Sequence, residues 1–148
     1  MRYMRRTALI IAAAFWARDA RAQISVSGSP AQMTVNKAAA AGSAPLAVTN
    51  STTTYTINKP SGASSYSITA HINIAMPAGV TLGMTLAAGS TGSSSGEVLL
   101  NTSAQTVMTG IKQKITGATI TYTLSATVAA GVVPVQTRVV TLTAITVP

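Results

Sequence analysis

Residues 119–128 alternate without a break. Ile120, Tyr122, Leu124, Ala126 and Val128 are apolar, and Thr119, Thr121, Thr123, Ser125 and Thr127 between them carry hydroxyls. A period of two puts the two sets on opposite faces of a strand. On a helix the apolar set would scatter around the axis. Thr and Tyr also suit a pleated, half-buried surface. The stretch is predicted to be a strand with one face in a core and one in water. The same pattern recurs along the chain. Leu46 and Val48 open a strand in which Tyr55 and Ile57 oppose Thr52, Thr54 and Thr56. Residues 65–76 set Tyr66, Ile68, Ala70, Ile72, Ile74 and Met76 against Ser67, Thr69, His71 and Asn73. Val80, Leu82, Met84 and Leu86 alternate next, and Pro77-Ala78-Gly79 between the two runs predicts a hairpin. Val140, Leu142 and Ala144 share a face of a last strand over 135–147, with a slip near Ile145 that reads as a bulge or the end of pairing.

The remaining segments are shorter. Ile24 and Val26 alternate with Ser25 and Ser27 before Gly28-Ser29-Pro30 breaks the run. Residues 37–45 are Ala-rich and closed by Gly42 and Pro45, which predicts a loop. Asn58-Lys59-Pro60-Ser61-Gly62 has the composition of a turn. Residues 88–96 are rich in Gly and Ser and predict a mobile surface loop. Short strands are expected over 97–100 and 105–111. The sum is roughly eight to ten strands separated by turn signals, the pattern of an all-β antiparallel β-sandwich, immunoglobulin-like or fimbrial-like. A closed barrel is the alternative. A membrane barrel needs aromatic girdles, and residues 23–148 hold only Tyr55, Tyr66 and Tyr122.

The first residues differ in kind. Arg2, Arg5 and Arg6 precede ten apolar or small residues, 7–16, and Ala20-Arg21-Ala22 supplies an A-x-A cleavage site. This order predicts a signal peptide over residues 1–22, followed by a single β-sandwich domain over 23–148. The apolar run is too short to span a bilayer, which takes about 20 residues. The expected address is therefore exported: periplasm, cell surface or extracellular. Residues 23–148 hold five cations (Lys37, Lys59, Lys112, Lys114, Arg138) and one acidic side chain, Glu97, for a net charge of +4. Scattered cations do not form the clustered face that nucleic-acid binding uses, so no nucleic-acid partner is expected.

Few residues here can do chemistry. The chain has no cysteine, which excludes disulfides, thiol catalysis and Cys-ligated zinc. His71 is the single histidine and falls on the polar face of its strand. It lacks the orienting carboxylate or further ligands that a triad or metal site requires. With Glu97 the one acidic side chain of residues 23–148, a paired-carboxylate glycosidase is excluded there and a calcium site is poorly supplied. The Gly89–Gly96 region lacks the lysine and following helix of a phosphate loop. Asn50-Ser51-Thr52 and Asn101-Thr102-Ser103 match the glycosylation acceptor pattern, a common chance match in such a chain. The Thr-x-Thr runs resemble ice-binding arrays, yet sandwich sheets twist and Thr is the ordinary solvent-facing strand residue. No catalytic residue, cofactor or metal site is expected.

The cysteine-free, Thr- and Ser-rich alternation resembles small bacterial secreted and fimbrial-type β-sandwich surface proteins. Among these, the chaperone–usher pilins imply an incomplete immunoglobulin-like fold completed by a neighbour's N-terminal strand. The chain departs from them in lacking a disulfide and in ending Thr146-Val147-Pro148, without a nearby Tyr. The expected role is a non-enzymatic structural or adhesive surface protein, a fibre-type subunit assembling by strand pairing. The alternative is an extracellular ligand- or carbohydrate-binding module. The candidate strand-exchange arm is residues 23–27, with Ile24 and Val26 as the inserting pair and a second copy or another surface protein as partner. Pairing of the arm within its own sheet is the competing expectation.

Overall fold

The computed structural model describes residues 23–58 and 65–147. The segment expected to be a signal peptide, 1–22, and most of the turn expected at 58–62 lie outside the described residues. Among the described residues nine strands form: β1 (Gln23–Ser27), β2 (Val48–Asn58), β3 (Ser65–Ile72), β4 (Val80–Leu86), β5 (Ser93–Ser94), β6 (Val98–Leu99), β7 (Gln105–Ile111), β8 (Ile115–Ala126) and β9 (Val140–Val147). They make two antiparallel sheets, one ordered β1-β2-β8-β4-β6 and the other β5-β7-β3-β9. The all-β sandwich read from the alternation is therefore observed. The one helical piece described is a 3-10 turn, Val128–Ala130. Among the described residues no helix is long and apolar enough to cross a membrane.

From β2 onward, each successive strand lies in the opposite sheet. This overturns the hairpin expected around Pro77-Ala78-Gly79. β3 pairs with β7 and β9, whereas β4 pairs with β8 and β6. Residues 73–79 bridge the two layers instead of reversing within one. The alternation signal fixes which face of a strand is apolar but says nothing of which neighbour it joins. Local bonds secure the bridge: Val80 N–H donates to the Pro77 carbonyl at 3.0 Å and Thr127 N–H to the Gly79 carbonyl at 2.8 Å. β3 ends at Ile72, so Ile74 is exposed and Met76 only half-buried.

The core lies between the sheets. β2 contributes Tyr55 and Ile57, β4 Leu82, Met84 and Leu86, and β8 Ile115, Ile120 and Tyr122. The facing layer gives Tyr66, Ile68, Ala70 and Ile72 from β3, with Val107, Met108 and Ile111 from β7. Full burial of such a side chain contributes about 1.5–3 kcal/mol. The Tyr55 hydroxyl ties the layers together, donating to the Ala87 carbonyl at 2.8 Å and to Met108 Sδ at 3.4 Å.

Bulges explain where strict alternation fails. Tyr55 pairs with Ala118 but Ile57 with Ile115, so β8 carries one extra residue there. Gly117, at φ +62, supplies the left-handed step. The shift lets odd-numbered Ile115 share a core with even-numbered Ile120 and Tyr122. β7 shifts register twice against β3 and buries Val107, Met108 and Ile111 with no simple period. The bulge expected near Ile145 is absent: β9 pairs with β3 continuously from Val140 to Val147. Val128, read as a core residue, sits in the 3-10 turn and is exposed. The loop at 88–96 is tied down, since β5 pairs with β7 and Gln113 N–H donates to Thr91 Oγ1 at 3.3 Å.

Candidate functional site

The two flanks of the sandwich are built differently. One ends in the two-residue strands β5 and β6. The other ends in five-residue β1 on one sheet and eight-residue β9 on the other. The candidate arm lies on this second flank. Residues Gln23 to Ser27 pair with Asn58 to Thr54, so the segment is an edge strand of its own sheet, as the competing expectation had it. Ile24 sits opposite Ile57 and packs on the core, half-buried. Val26 sits opposite the buried Tyr55 yet remains 49% exposed. β9 carries no charged side chain, and Val139, Ile145 and Val147 are exposed on or beside it.

A cavity of about 660 Å³ opens on the same side of the molecule, at the end where β3 leaves, β8 finishes and β9 starts. Residues 28–35 and 131–138 wrap it, and Val26 of β1 and Val140 of β9 stand on its lining. Its walls are chiefly apolar, among them Met33, Met76, Leu82, Tyr122 and Leu124. Leu124 is half-buried for this reason, although its alternation places it on the core face. Two polar groups on the lining are anomalous. Thr53 is 1% exposed and its Oγ1 has no hydrogen-bond partner. Arg138 donates through Nη1 to the Thr137 carbonyl at 3.0 Å and through Nη2 to the Ala75 carbonyl at 2.9 Å, and also touches Gln136 Oε1. Its Nε is buried without a partner. All its acceptors are neutral, and the guanidinium is always charged.

Among the described residues the histidine and the acidic side chain do not converge. His71 is half-buried on β3 opposite Thr141. Glu97 is exposed and lies over Gly83 on β4. No group of three or more metal-ligating side chains gathers among the described residues. The Gly-rich stretch packs against hydrophobic side chains, with Gly89 beside Ile115 and Gly92 beside Ile111. Both acceptor-pattern asparagines form Asx turns: Asn50 Oδ1 accepts from Thr52 N–H at 3.1 Å and Asn101 Oδ1 from Ser103 N–H at 2.7 Å. Among the described residues the tyrosines, Tyr55, Tyr66 and Tyr122, are all in the core. Burial pushes the Tyr55 hydroxyl up to about 12 and raises that of Tyr122. An aromatic platform for sugar rings is therefore not displayed among the described residues.

No protein-family model, characterised protein or solved structure matches the chain. The cavity was not foreseen from sequence. Its one legible signal is Thr53, a hydroxyl at an inward position of β2 in line with Tyr55 and Ile57. The Thr-rich run hid it, because Thr52, Thr54 and Thr56 read equally well as one solvent face.

Proposed function

We propose that the protein is a non-enzymatic, exported structural or adhesive surface subunit that self-associates through its strand edges. The observation that carries this reading is the flank where β1 and β9 meet. Two long edges lie side by side there without a charged side chain on the described residues of either strand, and with apolar residues exposed along them. Edges of this kind are templates for pairing, and main-chain ladders supply the affinity. The arm in this reading exchanges: a β1 already paired at home leaves β2 for the β2 of a neighbour, with Ile24 and Val26 filling the same places. The N-terminal export pattern and the scarcity of acid, thiol and imidazole groups support a structural role over a catalytic one.

Sedimentation analysis of the exported chain tests the reading. Concentration-dependent oligomers are expected. Ile145→Lys together with Thr143→Lys, which put charge on β9 without touching the core, should abolish oligomers built by pairing of the β9 edge and leave the monomer melt unchanged, and deletion of residues 23–29 should abolish those built by exchange of β1. A chain that stays monomeric at every concentration overturns the proposal.

A further inference from the structure

We propose that the cavity at the β3–β4 and β8–β9 end of the sandwich is a binding site for a small amphipathic anion, of the class of a medium-chain carboxylate. The space of about 660 Å³ lies in the range of ligand pockets. The apolar wall formed by Met33, Met76, Leu82, Tyr122 and Leu124 suits a hydrocarbon tail. Two methionines add a wall that can adapt to a flexible chain.

The polar groups decide the head. Core-facing Thr53 could be replaced by Val at nearly equal volume, and its buried Oγ1 meets no partner. A buried hydroxyl left unsatisfied is costly, and each such group calls for an explanation. A water would satisfy the hydroxyl, but the second orphan is different in kind. Arg138 brings a full positive charge to the lining, with Nε buried and unpaired. Its Nη atoms already hold the 131–138 segment to the Ala75 carbonyl, so the guanidinium is fixed in place. Glu97, the one acidic side chain among residues 23–147, is not on the lining. Nε itself is closed off from the cavity, so the recognition is by the charge of the guanidinium on the lining: an anionic head beside it makes a charge-assisted contact, stronger than any neutral group gives. Arg138 takes the charged head, and the Thr53 hydroxyl, closed off behind the lining, makes no contact with the ligand.

Methionine-methyl NMR of the full chain, with submicellar decanoate as probe, tests the site. Met33 and Met76 line the cavity, whereas Met84 and Met108 are fully buried in the core. Decanoate should move the first pair and leave the second in place. Decanol and decyltrimethylammonium, equal in tail but neutral or cationic, should bind at least about tenfold more weakly. Arg138→Gln should reduce decanoate binding to the level of decanol, with the Met84 and Met108 signals at their original positions as the check on folding. If Arg138→Gln does not fold, Arg138→Lys serves: it keeps a charge but lacks the planar fork that the Thr137 and Ala75 carbonyls hold in place, and should bind decanoate several-fold more weakly. The inference is overturned if decanoate leaves Met33 and Met76 unmoved, if decanol binds as tightly, or if all four methyls move together. It is equally overturned if Met33 and Met76 respond to protein concentration alone, which would put a strand of a second copy in the cavity.

Discussion

The two flanks of the sandwich meet the edge problem in opposite ways. At the β5/β6 flank the edge strands are two residues each, too short to template a ladder. The chain there is held close: Leu100 N–H donates to the Leu82 carbonyl at 2.8 Å and Ser95 N–H to the Val107 carbonyl at 3.1 Å. The residues behind it, Met84, Val107 and Met108, have no exposed surface. At the β1/β9 flank the edges are long, Val26 faces inward yet is half exposed, and the layers part around a cavity. One flank is closed and the other is left open. The open flank is therefore where binding or assembly is to be sought.

The largest expected effect separates the two sides with one chemistry. Met108→Asp places an unpaired charge in a sealed site and should abolish folding. Leu124→Asp, on the cavity wall, should fold with a loss of about 2 kcal/mol, since its carboxylate reaches water through the opening. Urea titration reads both, and equal losses would show that the cavity end is as closed as the core. Glycine gives a second contrast. Gly79, at φ +76, would set a new Cβ 3.1 Å from the Ala130 backbone and 2.7 Å from Thr127 Oγ1, so Gly79→Ala should cost about 2 kcal/mol. Gly83 meets only the Glu97 side chain, which is exposed and can swing away. Gly83→Ala should cost less than about 1 kcal/mol.

What the sequence shows depends on which of these regions is read. The period of two identified the inward faces of β3, β4 and the centre of β8 residue by residue, because one solvated face and one buried face leave a binary record. It could not show that Ile72 and Val80, eight positions apart across Pro77, belong to different sheets. Pairing partners are chosen by packing between layers, and the local pattern is the same either way. Bulges erase the record more thoroughly. Val107 and Met108 are adjacent and both buried, which no period predicts. The cavity depends on loops at 28–35 and 131–138 that have no period at all, and on the charge of Arg138, which in sequence is one of five scattered cations in residues 23–148.

Alkaline pH sharpens the comparison at intermediate scale. Tyr55 lies between the layers and Tyr122 stands at the cavity, and burial raises both hydroxyls above the ordinary value. The folded state thus holds these protons more tightly than the unfolded state. Stability from this source is complete below about pH 10, the unfolded value, and is lost as pH rises toward the folded values, about 12 for Tyr55. Urea midpoints should be flat to about pH 10 and fall beyond it. Tyr55→Phe should flatten that fall. It should also cost about 1 kcal/mol at neutral pH through the lost bond to the Ala87 carbonyl. A fall of unchanged steepness in the variant would assign the alkaline loss to other groups.

The smallest effect tests the open end with the same substitution on the two faces of one sheet. Thr121 is on the outer face of β8, its Oγ1 2.9 Å from the hydroxyl of Ser51. Water replaces that partner readily, so Thr121→Val should change stability by less than about 0.5 kcal/mol. Thr53 is on the inner face of β2, with its hydroxyl buried and unpaired. Thr53→Val keeps the volume and removes the orphan, and should raise the unfolding free energy by about 1 kcal/mol. A gain at Thr53 with none at Thr121 would show that the inner hydroxyl is held against stability, as functional groups commonly are. If Thr53→Val instead destabilises the chain, its hydroxyl has a water or protein partner in solution. The cavity would then keep Arg138 as its single unsatisfied group.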